Sequence, residues 1–488
     1  MNSSEGIDSN NLKAKTAQGL FWAFLSSGGI QLLNLVIGIF LARLLSPGEY
    51  GIVGMLAIFT LLANNLQESG FGIALVNIKD ITHNDYNSVF WFNVCVSVLL
   101  YAVLFLCAPL IAGFFHQPCL VPLSRFVFLA FIIASFCISP NAMLVRGLKM
   151  KEKAYTSLSA LIVSSTVGVV MAFKGFSYWS LATQQVLYNV VICFGRFYYT
   201  RWCPTLKVDF TPVRQMFSFS YKVLITTVLT TINNNMLTVV FGRIFPAASV
   251  GNFTQANKWN TMANQLVTNT VSQVAQPVFT RINDDEERQR RAFGKLLRFT
   301  AFMAFPAMFG LALVAPQLIV AAIGEQWIDS IPLLQILCVS GAFLPLYAVY
   351  QNLLLSRGRS TSYMWLTIGQ IVIMLLAVLA CHTMGIRAMV MAFACINILW
   401  LLAWQWFARR YIGYRFMSMA RDLLPFMLIA AAAMCVAYLA TLSLSNIYVV
   451  LAVRVAVASA VYLLTMKLLR ARILEECIEF IRSKKSKH

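Results

Sequence analysis

What most limits this chain is the recurrence of apolar blocks long enough to cross a hydrocarbon core. One of them, "VFWFNVCVSVLLYAVLFLCAPLIAGFF", fills residues 89–115. About 20 helical residues span a core about 30 Å thick. Water does not reach that depth, so backbone groups are satisfied within a helix or in a closed barrel. Barrel strands alternate polar and apolar residues, and these blocks do not, which leaves helices. Charged residues make up 11% of the 488 residues, whereas soluble domains carry roughly 25%.

Fourteen such segments are read from the sequence. Six lie near 20–42, 50–76, 87–113, 119–144, 156–174 and 177–198. Six more lie near 217–242, 248–280, 297–323, 331–355, 362–383 and 386–407, and a last pair near 423–443 and 446–468. The second and eighth are the least apolar. The expected class is an all-α integral membrane protein of about fourteen spans.

Charge placement sets the orientation. With the N-terminus inside, thirty of the 38 Lys and Arg fall on the inner side and only Arg43, Lys174, Arg243 and Arg387 on the outer. That asymmetry is the positive-inside pattern, and it predicts an even span count with both termini cytoplasmic. Arg288 and Lys485 are thus expected inside, Gly324 and Asn446 outside. The same pattern accounts for the net charge of +20 without nucleic acid. The eleven Cys are scattered without a CxxC pair and the four His are dispersed, so neither a disulfide framework nor a metal site is called for. The start Met1–Gln18 runs into a block too long for a signal-peptide core. The tail from Met466, "MKLLRARILEECIEFIRSKKSKH", is largely basic with Leu469, Ile473, Ile478 and Ile481 on one face, and is expected either to form an interfacial helix on anionic lipid or to stay solvated.

The chain also repeats itself. "FLARLLSPGEYGIVG" is echoed two hundred residues later by "VFGRIFPAASVGNFT", aligning Arg43 with Arg243 and Gly51 with Gly251. Pro109 aligns with Pro316 and Pro122 with Pro332. "NAMLVRG" at 141–147 aligns with "NLLLSRG" at 352–358, and Gly175 and Ala182 with Gly385 and Ala392. The expected organisation is an N-lobe over 1–198, a basic linker over 199–216, a C-lobe over 217–408, an extra helix pair over 409–470 and a tail over 471–488. Six helices per copy is even, so the copies share one orientation. They are expected to be related by a pseudo-twofold axis along the membrane normal, around a central cavity, as in alternating-access transporters.

The block "ARLLSPGEYGIVG…ESGFGIALV", with "FWFNV" and "RGLKMKEKAY" after it, resembles the polysaccharide transporter family of the multidrug/oligosaccharidyl-lipid/polysaccharide exporter superfamily. Within it the chain is most similar to Wzx-like and colanic-acid-exporter-like flippases. The resemblance covers nearly the whole chain and is densest over 15–160. It implies an inner-membrane flippase for undecaprenyl-pyrophosphate-linked oligosaccharides, acting among membrane lipids and beside polymerase and export machinery. Two alternatives are an ion-coupled multidrug antiporter of the same fold and a membrane glycan polymerase or ligase. The outer connections are short for the latter, and no HExxH, GxSxG or Walker motif calls for catalysis or a cofactor.

Charges within spans are the first candidates for function, because lipid penalises them. Lys258 lies in the polar eighth span with Thr254, Thr261, Gln265, Thr268, Ser272 and Gln276 at helical spacing. A Lys there offers a point charge to a pyrophosphate or acidic sugar. Arg125 and Lys222 lie near span ends and either meet substrate or snorkel. Glu68 is the one acid placed in a span, either coupling a cation or pairing with a base. Asn233 and Asn234, with Asn34, Asn64, Asn65 and Asn235, supply amides that match sugar hydroxyls or bond between helices. Trp259 and Tyr347 have rings that can stack on sugars. Arg454, in the extra pair, is placed outside the transport core.

Overall fold

The computed structural model describes residues 29–68, 71–77, 81–206, 209–211, 213–214, 228, 231–232, 235–282 and 285–469. These residues form helices and connections, with no strand among them. The first set is α1 (Gly29–Leu44), α2 (Pro47–Glu68), α3 (Phe71–Asn77), α4 (His83–Phe115), α5 (Leu120–Val127), α6 (Leu129–Phe136), α7 (Ile138–Arg146), α8 (Met150–Phe173) and α9 (Trp179–Thr200). Next come α10 (Asn235–Ile244), α11 (Ala247–Arg281), α12 (Glu286–Ile323), α13 (Ser330–Gly341), α14 (Leu344–Ser356), α15 (Ser360–Ala380) and α16 (Ile386–Ile412). The last pair is α17 (Phe416–Ala440) and α18 (Ile447–Leu468).

Among the described residues, eight helices are long and apolar enough to cross a membrane, or nine if the pair Leu120–Phe136 and Ile138–Arg146, bent by 43°, is one span. The other expected positions carry helices that are shorter or more polar: α1, α2, α9, α10 and α11. The expected tail helix lies outside the described residues.

The duplication is visible in the backbone. The first copy turns through left-handed residues at His116, Leu148, Gly175 and Arg201. The second does so at Gly324, Gly358, Gly385 and Gly413, offset by 208, 210, 210 and 212. Both copies break their fourth helix, at Cys137 in the first and at Ala342–Phe343 in the second. The helix starts Pro47 and Ala247 are 200 residues apart.

That offset explains two glycines. A Cβ on Gly51 would lie 1.8 Å from the carbonyl oxygen of Ala247, and a Cβ on Gly251 would lie 1.8 Å from that of Pro47. The first turns of α2 and α11 therefore cross backbone to backbone, each copy supplying the same residue to a reciprocal contact. Beside it, Arg243 reaches the end of α4, donating to the Phe114 carbonyl at 2.7 Å and lying against His116.

By compactness the chain divides between Gly251 and Asn252. The connection after α9 belongs to the first unit. Its Trp202 packs on Phe90 and Phe197. Trp91 Nε1 donates to the Thr205 carbonyl at 2.7 Å, and the Thr205 N–H donates to Asn87 Oδ1 at 2.8 Å. Farther along, the Thr211 hydroxyl and amide and the Asn84 side chain hold the Asp209 carboxyl below the usual carboxylate range.

In the second unit α12 is the axis around which the rest packs. Pro306 and Pro316 lack an N–H, which frees the carbonyls four residues earlier. Each finds a side chain from another helix: Tyr462 Oη donates to Phe302 at 3.0 Å, and Gln335 Nε2 donates to Ala312 at 3.2 Å. The extra pair is tied to α12 at two levels. Arg454 is buried and donates to Thr441 Oγ1, to the Leu313 carbonyl and to Gln317 Oε1, at 3.0, 3.0 and 2.8 Å. Nearer the start of α12, Arg298 bridges Asp422 at 3.0 Å and Tyr414 Oη donates to the same carboxylate. Arg454 thus serves as a clasp, with its fork filled by partners from α12 and from the turn after α17.

Candidate functional site

Helix α11 is polar on two faces. Lys258, Gln265, Asn269, Gln273 and Gln276 are exposed and recur at intervals that keep them on one side. Lys258 and Gln265 stand seven residues apart, about 10 Å along the axis. Of the expected stripe, Lys258, Gln265 and Gln276 are exposed, while Thr254, Thr261, Thr268 and Ser272 are half-buried beside them. Asn269 and Gln273 complete the face; their 4-residue spacing from Gln265 and from each other's turn was present in the sequence.

The other face is buried. Asn252, Gln255, Asn260 and Asn264 each keep 6% or less of their surface exposed. Gly341 on α13 makes room for them: a Cβ there would meet Asn260 Oδ1 at 2.4 Å and Asn264 Nδ2 at 3.0 Å. The oxygens of Asn252, Gln255 and Asn260 and both polar atoms of Asn264 are buried with no hydrogen-bond partner among the described residues.

Arg125 lies in the first unit on α5. Its guanidinium sits 4.2 Å over the Phe105 ring, and its Nε is buried without a hydrogen-bond partner among the described residues. It is held by an aromatic face. Glu68 is the last residue of α2, and its side chain lies outside the described residues, as do Lys222, Asn233 and Asn234. Asn235 donates to the Thr231 carbonyl one turn back at 2.9 Å, a helix-local bond. Tyr347 is buried and its hydroxyl donates to the Asn397 carbonyl, which removes it from stacking on a sugar. Trp259 is half-buried.

Tyr347 belongs to a second polar group, at α14, α15 and α16, that the sequence did not single out. Gln370 Nε2 donates to Asn397 Oδ1 at 2.9 Å, and Tyr350 Oη donates to Gln405 Oε1 at 2.9 Å. Gln405 Nε2 passes on to the Tyr414 carbonyl at 2.7 Å. These side chains are buried and mostly satisfy one another. No group of three or more His, Cys, Asp or Glu that could hold a metal occurs among the described residues.

Comparison with known proteins places this architecture. Residues 40–332 match the family described as polysaccharide biosynthesis protein. The chain belongs to that family. Among its relatives, the lipopolysaccharide biosynthesis protein WzxC of Escherichia coli K12 is 26% identical over 72% of this chain and 71% of its own length. The teichuronic acid biosynthesis protein TuaB of Bacillus subtilis is 24% identical over 91% of this chain and 92% of its own. The succinoglycan biosynthesis transport protein ExoT of Rhizobium meliloti is 26% identical over 72% of each chain.

Among solved structures, the lipid II flippase MurJ in an inward closed conformation superposes with a TM-score of 0.73 at 14% identity, over 92% of this chain and 99% of its own. An inward-facing multidrug transporter of the MATE family gives 0.64 at 17% identity, over 79% and 94%. The fold is therefore shared with the lipid II flippase MurJ and with MATE-family transporters, and the chain is a multi-pass membrane protein of the polysaccharide biosynthesis family.

Proposed function

We propose that this protein flips an undecaprenyl-pyrophosphate-linked oligosaccharide, a unit of capsule, exopolysaccharide or O-antigen, across the bacterial inner membrane by alternating access. The observation that carries the reading is the exposed polar face of α11 with Lys258 on it, in a chain of this family and fold. A face of amides and one cation does not rest against hydrocarbon. It fits an amphiphile with a hydroxyl-rich glycan and an anionic linkage: amides donate and accept, and the ammonium attracts phosphate. The relatives' names point to several glycans, so the sugar itself is set elsewhere. In this reading the basic ends of the helices lie in the cytoplasm with both termini, following the Lys and Arg asymmetry. The charged and amide-rich face favours this substrate over an apolar drug.

The test is transport in proteoliposomes, using lipid-linked oligosaccharide extracted from the producing strain and an impermeant lectin or glycosidase to report the outer leaflet. Lys258→Ala is expected to lower flipping at least about tenfold, the scale of one lost charge-assisted contact of about 1.4 kcal/mol or more. Lys258→Arg should retain part of the activity. Normal transport by a well-folded Lys258→Ala protein rejects the role. If Lys258 instead pairs with Glu68, the Ala variant loses stability and removal of Glu68 restores it.

A further inference from the structure

The first unit contains a cleft of about 340 Å³ between α1, α8 and α9. That volume sits within the range of small-molecule sites, about 300–1,000 Å³. Its polar lining is Asn34, Ser164, Gln184, Gln185 and Tyr188, and its apolar walls are Ile30, Leu161 and Leu181. No charged residue lines it among the described residues. We propose that this cleft holds an uncharged, hydroxyl-rich group, one sugar residue of the carried glycan.

The side chains divide into held and free groups. Gln184 is fixed: its Nε2 donates to Ser165 Oγ at 2.9 Å, and Gly168 leaves room for it, since a Cβ there would lie 3.0 Å from Gln184 Cβ. Ser164 Oγ bonds its own helix at Leu161, 3.3 Å away. The amides of Asn34 and Gln185 and the Tyr188 hydroxyl have no hydrogen-bond partner among the described residues, and all three residues are only half-buried. Two amides and a phenol supply donors and acceptors in one place. A phosphate calls for cations and a metal ion for carboxylates, and the lining offers neither. A pyranose calls for this set: hydroxyls for the amides and a C–H face for the Tyr188 ring and the leucines. The two copies of the repeat differ here in the same sense. At an offset of 210, Ser164, Gln184, Gln185 and Tyr188 correspond to Met374, Ala394, Cys395 and Ile398. The first copy is polar at these four positions where the second is largely apolar, while Asn34 is matched by Asn234 at an offset of 200.

This inference rests on the flippase reading, and its test separates the two. In a cysteine-depleted protein in proteoliposomes, Ile30→Cys, on the apolar wall, reports the cleft, and Thr261→Cys, beside the exposed face, reports α11. The readout is the labelling rate with a small methanethiosulfonate reagent. The probes are undecaprenyl pyrophosphate and lipid-linked oligosaccharide from the producing strain. At about ten times the dissociation constant, the oligosaccharide lipid should slow labelling at 30 about tenfold, while undecaprenyl pyrophosphate leaves it unchanged. Equal protection by both probes overturns the sugar assignment. Protection at 261 without protection at 30 overturns the cleft and leaves the flippase reading standing. Protection at neither position rejects the flippase reading and the cleft with it. Leu181→Cys, on the same wall, replaces Ile30→Cys should that variant not fold.

Discussion

Between α8 and α9 the polar side chains line an open cleft, whereas between α15 and α16 they close on each other. These helix pairs are the same pair in the two copies of the repeat. In the second copy Gln370 bonds Asn397, Tyr347 bonds the Asn397 backbone, and the group is buried. In the first, Asn34, Gln185 and Tyr188 keep their polar atoms unbonded among the described residues. Burial of unpaired polar groups is costly, so at this helix pair amides that bond each other serve packing, and amides that face a cleft are open to an outside partner. Duplication supplies the frame, and divergence at a few interior positions decides which copy carries this cleft.

The largest effect belongs to what the copies share. The reciprocal contact leaves no space for a side chain at Gly51 or Gly251, and the colliding atoms are backbone carbonyls that do not rotate away. Gly51→Val and Gly251→Val are each expected to cost more than about 3 kcal/mol, beyond the usual range for overpacking. Yield of monodisperse protein and the unfolding midpoint in detergent measure this. Gly113→Ala is the control: nothing lies within 4 Å of its Cβ position, so stability should hold or rise slightly. A wild-type midpoint for Gly51→Val breaks the account of a shared crossing.

A smaller pair of effects addresses what the copies do not share. Gln370→Leu leaves Asn397 Oδ1 buried without its donor, which costs about 1–3 kcal/mol. Gln185→Leu removes no bond made by its side chain among the described residues, so its stability should change by less than about 1 kcal/mol. Its glycan-lipid binding should fall instead. Opposite outcomes, with Gln185→Leu unfolding and Gln370→Leu neutral, reverse the assignment of packing and cleft roles between these two helix pairs.

The sequence showed the repeat and the membrane class because both are carried by long-range pattern. Offsets such as Arg43 to Arg243 survive many substitutions, and apolar blocks are hard to misread. Lys258 stands out in the sequence as a charge on the most polar helix of an apolar chain, and the structure places it on an exposed face of α11. At Gly51 the sequence shows an alignment and not a contact, since a repeated offset does not say what a glycine touches. Gln184 and Gln185 carry no signal of their own, because two amides in an apolar helix look like ordinary interhelical bonds. Only the space beside them separates the two uses. The position of Arg454 in the chain puts it outside the transport core and says nothing of its partners. Its role as a clasp depends on the Leu313 carbonyl and Gln317 of a helix more than a hundred residues away.

The smallest effect sharpens the comparison at a single backbone position. In the turns after α7 and after α14 the two copies carry a residue with positive φ: Leu148 at 52° in the first, Gly358 at 68° in the second. A left-handed conformation costs a residue with a Cβ roughly 1–2 kcal/mol, and glycine escapes that cost but brings a more flexible unfolded chain. Leu148 is 41% exposed, so its replacement loses part of a side chain's burial and no more. Leu148→Gly should therefore be neutral or stabilising by up to about 1 kcal/mol, while Gly358→Leu should destabilise by about 1–2 kcal/mol. Unfolding midpoints of the two variants, measured side by side in one detergent, provide the comparison. If the two turns are equivalent, the shifts have these opposite tendencies. A clear loss of stability in Leu148→Gly shows that Leu148 is held by packing, and that the first copy has found a different solution to the same turn.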